Sequence, residues 1–332
     1  MKAAMIDRTG RPEVIKIVTQ DKPEIPKNGL LIENHFSSVN PRDCLIRSGR
    51  YQLQPFIATP PLILGSDLAG IVIGVGQDVQ GFSVGDRVFG MKNPSEGAGT
   101  NAGFVTVKAK NVAHLPESIC LRQAGALPLV SLTAWQGLRL HEDLAELKGK
   151  RLLILGASGG VGIHALQIGL AAGAIVDTVT SPKNFILMNA LGSHQAFDYI
   201  SKNFLNGGAE YDVIFDTVGK YSFDMLQHRL RETGDYTTTV PTLRFTAASL
   251  ASKLRRSISQ QHPKLSLVTV KPDSQTLTKI AYLVETRKLT PIIDSVFPIQ
   301  ELAKAHQRVQ TQRTKGKVVI SIRDNSMLSC VN

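Results

Sequence analysis

Cysteine is scarce in this chain, with three among 332 residues, at positions 44, 120 and 330. An odd number so widely separated predicts neither a disulfide framework nor a zinc knuckle, and fits a reducing, cytoplasmic compartment. No apolar run reaches the roughly 18 to 20 residues that a membrane-spanning helix requires. The opening Met1-Lys2-Ala3-Ala4-Met5-Ile6-Asp7-Arg8 has too short an apolar stretch and too early an acid for a signal peptide. Internal repeats and low-complexity linkers are absent. Acid is in deficit, 27 Asp and Glu against 38 Lys and Arg, which leaves a formal charge of +11. Lys253-Leu254-Arg255-Arg256 and Arg313-Thr314-Lys315-Gly316-Lys317 carry part of it. Such a surface attracts small anions, nucleic acid or an anionic membrane, or is simply basic and passive. No basic run is interleaved with aromatics, and no nucleic-acid-binding signature is present.

What is present is organised around Leu152-Leu153-Ile154-Leu155-Gly156-Ala157-Ser158-Gly159-Gly160-Val161-Gly162. The apolar run is too short for a free helix and suits a strand buried on both faces, as in parallel sheets. A glycine turn follows, then a helical pattern with Ile163, Leu166 and Leu170 on one face, stopped at Gly173 by a left-handed cap. Strand, turn and helix together expose unpaired backbone N–H groups at a helix N-terminus, which suits a pyrophosphate. Gly156, Gly159 and Gly162 are spaced G-x-x-G-x-x-G, not in the commoner G-x-G-x-x-G order. A glycine turn that merely packs a helix onto a sheet is the plainer alternative.

On either side of this stretch the texture changes. Residues 1–122 read as β-rich, with a strand at Leu30–Phe36, a turn at Gly85-Asp86 leading into another, and glycines at 74, 76, 81, 85 and 90 among short apolar segments. Residues 123–270 alternate strand and helix. Strands are expected at Ile175–Val179, Asp212–Asp216 and Gly234–Thr239, and helices at Phe185–Leu191 and Phe223–Leu230. This alternation predicts an α/β fold, a doubly wound parallel sheet with ligands at the carboxyl ends of its strands. Residues 271–332 return to mixed structure and complete the first domain. They comprise helices at Ser274–Thr286 and Ile299–His306, a closing strand at Lys317–Ile322 and a loose tail.

Seven segments, in order, carry a resemblance: Val39-Asn40-Pro41-Arg42-Asp43 with Arg47–Tyr51, Leu64–Gly70, Val84–Gly90, Gly125–Pro128 with Leu132–Trp135, the glycine turn, Phe215–Gly219 and Lys315–Val319. With them the chain resembles the medium-chain dehydrogenase/reductase superfamily, and within it the zinc-independent quinone oxidoreductase-like branch. That resemblance implies a GroES-like β-rich catalytic domain (1–122, completed by 271–332), interrupted by a Rossmann NADPH-binding domain (123–270). It also shows what is missing. Zinc-using members carry a cysteine where this chain has Asn40 and a histidine where it has Ser66, and a four-cysteine lobe where Asn93–Asn101 has none. No metal is therefore expected. Without a Lewis acid an alcohol is hard to activate for hydride removal, whereas quinones and α,β-unsaturated carbonyls accept hydride with less help.

The resemblance implies catalytic roles for two residues. The Asn40 carboxamide would stand near the nicotinamide and the acceptor, unless it only shapes the turn before Pro41. Tyr51 would line the acceptor pocket or donate a proton, unless it only packs at the barrel rim. The cofactor set comprises Gly156, Ser158, Gly159, Gly160, Val161 and Gly162 of the turn, and Thr217, Val218 and Gly219 after a later strand. Thr180, Ser181 and Lys183 stand where an acid would bind the ribose of NAD, which favours NADPH. Asp177 falls too early in its strand to serve. Lys317 is a candidate to face the 2′-phosphate. The expected activity is NADPH-dependent reduction of quinones or other activated alkenes. Enoyl thioester reduction, and a crystallin-like NADPH- and RNA-binding role, are the alternatives. A homodimer pairing through an edge strand at Gly234–Thr239 completes the expectations.

Overall fold

The computed structural model describes residues 1–51, 59–141, 143–258 and 262–323. The tail expected after residue 322 lies almost wholly outside them, as does Cys330. The chain divides into unit 1 (Met1–Leu132, Lys271–Arg287 and Pro291–Asn332) and unit 2 (Thr133–Val270 with Lys288–Thr290).

Unit 1 opens with β1 (Lys2–Ile6), β2 (Ile15–Thr19), β3 (Gly29–Val39), α1 (Pro41–Ser48), β4 (Leu62–Ile63), β5 (Asp67–Val75), β6 (Arg87–Met91), β7 (Phe104–Lys108) and β8 (Val112–His114). The expected strands at 30–36 and after Gly85-Asp86 are β3 and β6. Helix α1 was not anticipated, because Pro41 at its first position reads equally as a turn. In this unit β1 pairs antiparallel with β2 and β4. The larger sheet runs β15 (Ile293–Pro298), β16 (Lys317–Ser321), β3, β5, β6, β8, with β7 also on β3, and is antiparallel except for β15 on β16. Leu30, Ile32, Leu68, Val72, Val88, Val105, Val107 and Val112 fill its interior. The chain leaves unit 1 within α2 (Pro128–Gly137), ten residues later than expected. Two contacts explain the delay. Gly125 lies against the Phe36 side chain, and Leu129 N donates to Asp67 at 2.7 Å.

Unit 2 contains β9 (Arg151–Leu155), α3 (Gly160–Ala171), β10 (Ile175–Thr180), α4 (Phe185–Ala190), β11 (Gln195–Asp198), β12 (Tyr211–Asp216), β13 (Leu230–Thr238), α5 (Leu243–Ile258) and β14 (Lys264–Leu267). All its strand pairings are parallel, in the order β11-β10-β9-β12-β13-β14. Leu153, Leu155, Val179, Phe204, Ile214 and Tyr236 are among the residues of its core. This is the doubly wound sheet, with its order reversing between β9 and β12, where ligands of such sheets sit beyond the strand ends. The helix expected over 223–230 stops at Leu226, and β13 begins at Leu230. The segment Gly234–Thr239, expected at the sheet edge, is instead the interior of the sheet, because β14 pairs along β13 from Asp235 to Thr238. Helix α5 and β14 were not anticipated.

Returning to unit 1, α6 (Ser274–Glu285), β15 (Ile293–Pro298), α7 (Leu302–Gln310) and β16 (Lys317–Ser321) complete the larger sheet. Cys44 of α1 meets α7, its thiol 3.4 Å from His306 Nδ1. Burial, with the Asp43 charge adding to it, pushes the thiol up to about 12, and burial holds the imidazole down to about 3. Cys44 is free.

Candidate active site

In unit 2 the glycine turn has the conformation its sequence requires. Gly156 ends β9 at φ 79°, a left-handed conformation, and a side chain there would meet Val218 Cγ2 at 2.3 Å and Thr217 Oγ1 at 2.6 Å. Gly159 caps α3. Ile163 N donates to Gly159 O at 2.9 Å, the first bond of the helix, so the N–H groups of Gly160, Val161 and Gly162 stay at its N-terminus. A Cβ on Gly162 would lie 2.5 Å from Gly156 O and 2.6 Å from Ala157 Cα, so only glycine lets α3 start this close to β9. A Cβ on Gly159 would meet only Gly156 O, at 3.5 Å. The space beside Gly159 is where a phosphate group fits against the free N–H groups.

The end of β10 borders this turn. Thr180 is buried, and its hydroxyl donates to Ser158 Oγ at 2.9 Å; Asn184 Nδ2 donates to the same oxygen at 2.9 Å. Thr180 and Ser158 are therefore engaged with each other, and they hold the turn. Ser181 is half-buried and Lys183 exposed at the strand's carboxyl end, one on each side of Pro182. Asn184 was not anticipated; its position just before a helix was the only signal. Asp177 is fully buried, accepting from Arg151 at 2.8 Å and Tyr211 Oη at 2.9 Å, with His194 Nδ1 at 2.8 Å. Its carboxylate is committed to the strand interior, as its early position in β10 predicts.

Across the switch point, the Thr217 hydroxyl donates to Leu155 O at 2.8 Å. Asp216 accepts from Val218 N at 2.8 Å, Gly219 N at 2.9 Å and Tyr236 Oη at 3.1 Å. Burial raises the Asp216 carboxyl above its ordinary range. The loop Thr217-Val218-Gly219 is thereby fixed against Gly156, with Val218 partly exposed.

Unit 1 holds a second polar constellation. Asn40 precedes α1, and its N–H donates to Asp43 Oδ2 at 2.8 Å, closing the first turn. The antiparallel register of β16 on β3 pairs Val318 with Val39, which sets Lys317 beside Asn40. Lys317 Nζ donates to Asn40 Oδ1 at 2.6 Å and lies 3.4 Å from Asp67 Oδ2. That carboxylate also accepts from Asn40 Nδ2 at 2.8 Å and Ser38 Oγ at 2.5 Å, while Leu129 N bonds its other oxygen. Ser66 Oγ donates to Asp43 Oδ1 at 3.1 Å and accepts from Arg42 at 2.8 Å. Burial raises the Asp43 carboxyl, against the opposing pull of the Arg42 cation.

Two expectations change here. Lys317 is 3% exposed and bonded inside unit 1, so its ammonium is not displayed as a free phosphate ligand. The Asn40 carboxamide is 1% exposed, with oxygen and nitrogen both partnered. Tyr51 is half-buried and packs against Ile6, Ile46 and Leu64; the residues that follow it, 52–58, lie outside the described set.

Family comparisons agree with this arrangement. Residues 26–117 match the alcohol dehydrogenase GroES-like domain, and residues 191–320 the zinc-binding dehydrogenase family. The chain is 31% identical to the mitochondrial NAD(P)H oxidoreductase RTN4IP1 of Mus musculus, over 97% of this chain and 89% of that protein. It is 30% identical to the quinone oxidoreductase of Sus scrofa, over 96% and 97% respectively. The solved quinone oxidoreductase of Coxiella burnetii superposes with a TM-score of 0.85 at 31% identity, covering 97% of this chain and 99% of that one. The chain belongs to the medium-chain dehydrogenase/reductase family.

Membership raises the question of zinc, since one of the matching family descriptions includes it. In this member the donor set does not fit. Asn40 offers an amide already bonded to Lys317 and Asp67, and Ser66 a hydroxyl bonded to Arg42 and Asp43. Zinc takes thiolate, imidazole or carboxylate ligands, and a lysine ammonium 3.4 Å from Asp67 competes directly with a metal cation for that carboxylate. The nicotinamide dinucleotide that the fold implies does fit unit 2, where Gly159 leaves room and the N–H groups of residues 160–162 supply donors. Sequence reasoning did not foresee Asp67 as the hub of the unit 1 network, although it follows Ser66 directly in a motif already singled out.

Proposed function

We propose that this dehydrogenase/reductase is an NADPH-dependent reductase of quinones and related conjugated carbonyl acceptors, and that it works without zinc. The observation that carries this reading is the replacement of a metal-ligand set by the amide–carboxylate–ammonium network of Asn40, Asp67 and Lys317. Without a Lewis acid, removing hydride from an alcohol is disfavoured, whereas a quinone spreads the incoming charge onto its own oxygen. Bound to unit 2, the dinucleotide supplies the hydride.

The protein's residues bind and orient. The N–H groups of Gly160, Val161 and Gly162 hold the pyrophosphate, and the Thr217–Gly219 loop borders the same end of the sheet. Ser181 and Lys183 meet the 2′-phosphate, a hydroxyl and a cation where NAD-preferring relatives of this fold carry an acid. Lys317 and Asp67 fix the Asn40 carboxamide in one orientation, so that it acts as a preorganised dipole with nothing to rearrange during reaction. Tyr51 remains a candidate acid for acceptors that must be protonated on carbon. The homodimer is proposed to pair through β14, the outer strand next to β13, in place of Gly234–Thr239.

One comparison tests the reading. NADPH and NADH oxidation are followed with a benzoquinone, phenanthrenequinone and crotonyl-CoA, for the parent and Tyr51→Phe, with and without chelator. NADPH-driven quinone turnover that ignores chelator and changes little in Tyr51→Phe is expected. Chelator-sensitive activity would overturn the zinc-free reading. Crotonyl-CoA turnover that falls ~10²-fold or more in the variant, with negligible quinone turnover in the parent, would reassign the acceptor to enoyl thioesters.

A further inference from the structure

Helix α5 carries a pattern that nucleotide binding and hydride transfer leave unexplained. Its inner face is anchored in unit 2: Phe245 is buried in the core, Ser249 Oγ donates to Leu265 O at 3.3 Å and Ser252 Oγ to Pro263 O at 2.5 Å. Its outer face displays Leu243, Leu250 and Leu254, which are 92%, 71% and 69% exposed. At 3.6 residues per turn these three fall within about 40° of one another around the helix, with Ala247 beside them. Arg244 and Arg255 border this stripe on one side and Lys253 on the other, all exposed. The sixteen residues of α5 include no acid. Other exposed apolar side chains among the described residues, such as Ile186 and Val84, stand apart from one another along the chain, Tyr199 and Ile200 being an adjacent pair, which is ordinary for a protein surface.

We infer that α5 is a membrane-surface helix, docking in the plane of an anionic phospholipid bilayer. An apolar stripe between basic flanks matches the two layers of such a surface, with leucines entering the acyl boundary and Arg and Lys reaching the phosphates. The chain's net charge of +11 adds long-range attraction to the same partner. A second copy fits less well, because pairing this face on itself about a two-fold axis sets basic flanks against basic flanks. No helix among the described residues is long and apolar enough to cross a membrane, so the contact is peripheral.

The test is co-sedimentation of the full chain with vesicles of phosphatidylcholine alone and of phosphatidylcholine mixed with phosphatidylglycerol. Binding is expected only to the anionic vesicles, and high salt is expected to release it. Leu250→Glu/Leu254→Glu should weaken it by at least ~10-fold, since two apolar side chains no longer leave water. Thermal melting and NADPH oxidation should match the parent, which separates lost docking from lost folding. A second variant, Lys253→Gln/Arg255→Gln, keeps the stripe and should lower affinity while reducing the salt dependence. Absence of parent binding to anionic vesicles, or equal binding by parent and leucine variant, overturns the inference. A parent that binds no vesicles but shifts to a smaller mass in the leucine variant, by light scattering, assigns the face to contact between copies and overturns it equally.

Discussion

The glycine turn of unit 2 and the polar network of unit 1 are built in opposite ways. The turn is local: Gly156, Ser158, Gly159 and Gly162 lie within seven consecutive positions, and their roles follow from backbone sterics and helix-terminus donors. The network is assembled from distant pieces, with Lys317 and Asn40 separated by 277 positions and Asn40 and Asp67 by 27. A local site is specified wherever its strand and helix form. A distributed one exists only when β3, β5 and β16 pair in the right register, so it depends on the fold of the whole unit.

The largest expected effect probes the distributed site. Lys317→Met leaves Asp67 buried without its cation and Asn40 Oδ1 without its donor, and is expected to destabilise by about 3–5 kcal/mol. Denaturant melts of Lys317→Met, Asp67→Asn and the double variant measure the coupling. Additive single effects would show that the network is a set of independent bonds and would erase the contrast with the turn.

Next in size is a paired substitution inside the turn. Gly162→Ala forces a Cβ against backbone atoms at 2.5 and 2.6 Å and should cost about 1–3 kcal/mol. Gly159→Ala meets only ordinary contact, so its melting temperature should hold while NADPH affinity falls. Equal loss of stability in both would mean that the two glycines do the same work, and that the space beside Gly159 is not a ligand cradle.

A pH effect comes third, at another long-range contact of unit 1. His306 titrates near 3 when folded against 6.5 when free, because burial disfavours its charged form. Above pH 6.5 both states are neutral there and the contribution to stability is complete. As pH falls from 6.5 towards 3 the unfolded chain takes up a proton that the folded chain refuses, and stability is lost at about 1.4 kcal/mol per pH unit. The difference in unfolding free energy between the parent and His306→Gln should therefore be flat above pH 6.5 and should narrow below it. A difference independent of pH across that window would contradict the buried neutral imidazole.

The smallest effect falls on cofactor choice. Lys183 is exposed, so Lys183→Ala should weaken NADPH about tenfold, the low end for a charge-assisted bond, and leave NADH unchanged. Parallel fluorescence titrations with the two cofactors check it. Equal weakening of both would place the lysine's effect on the shared part of the dinucleotide.

The sequence by itself determined the α/β alternation of unit 2, the strand–turn–helix with its three glycines, and the exclusion of Asp177 as a ribose ligand. Each rests on short-range physics: buried apolar runs, positive φ at Gly156, and the position of a residue along a strand. Only the tertiary structure decided where the sheet ends, since β13 and β14 are both mixed in polarity, and nothing local distinguishes an interior strand from an edge. It also decided what Lys317 does. From the sequence it reads as a ligand for the 2′-phosphate, yet the pairing of Val318 with Val39 carries its ammonium into the interior beside Asn40 and Asp67. Partners brought together across hundreds of positions leave no periodicity to detect. The exposed leucines of α5 are the converse case. Their spacing is present in the sequence, but which side of the helix faces water is settled only by Phe245, Ser249 and Ser252 docking inward.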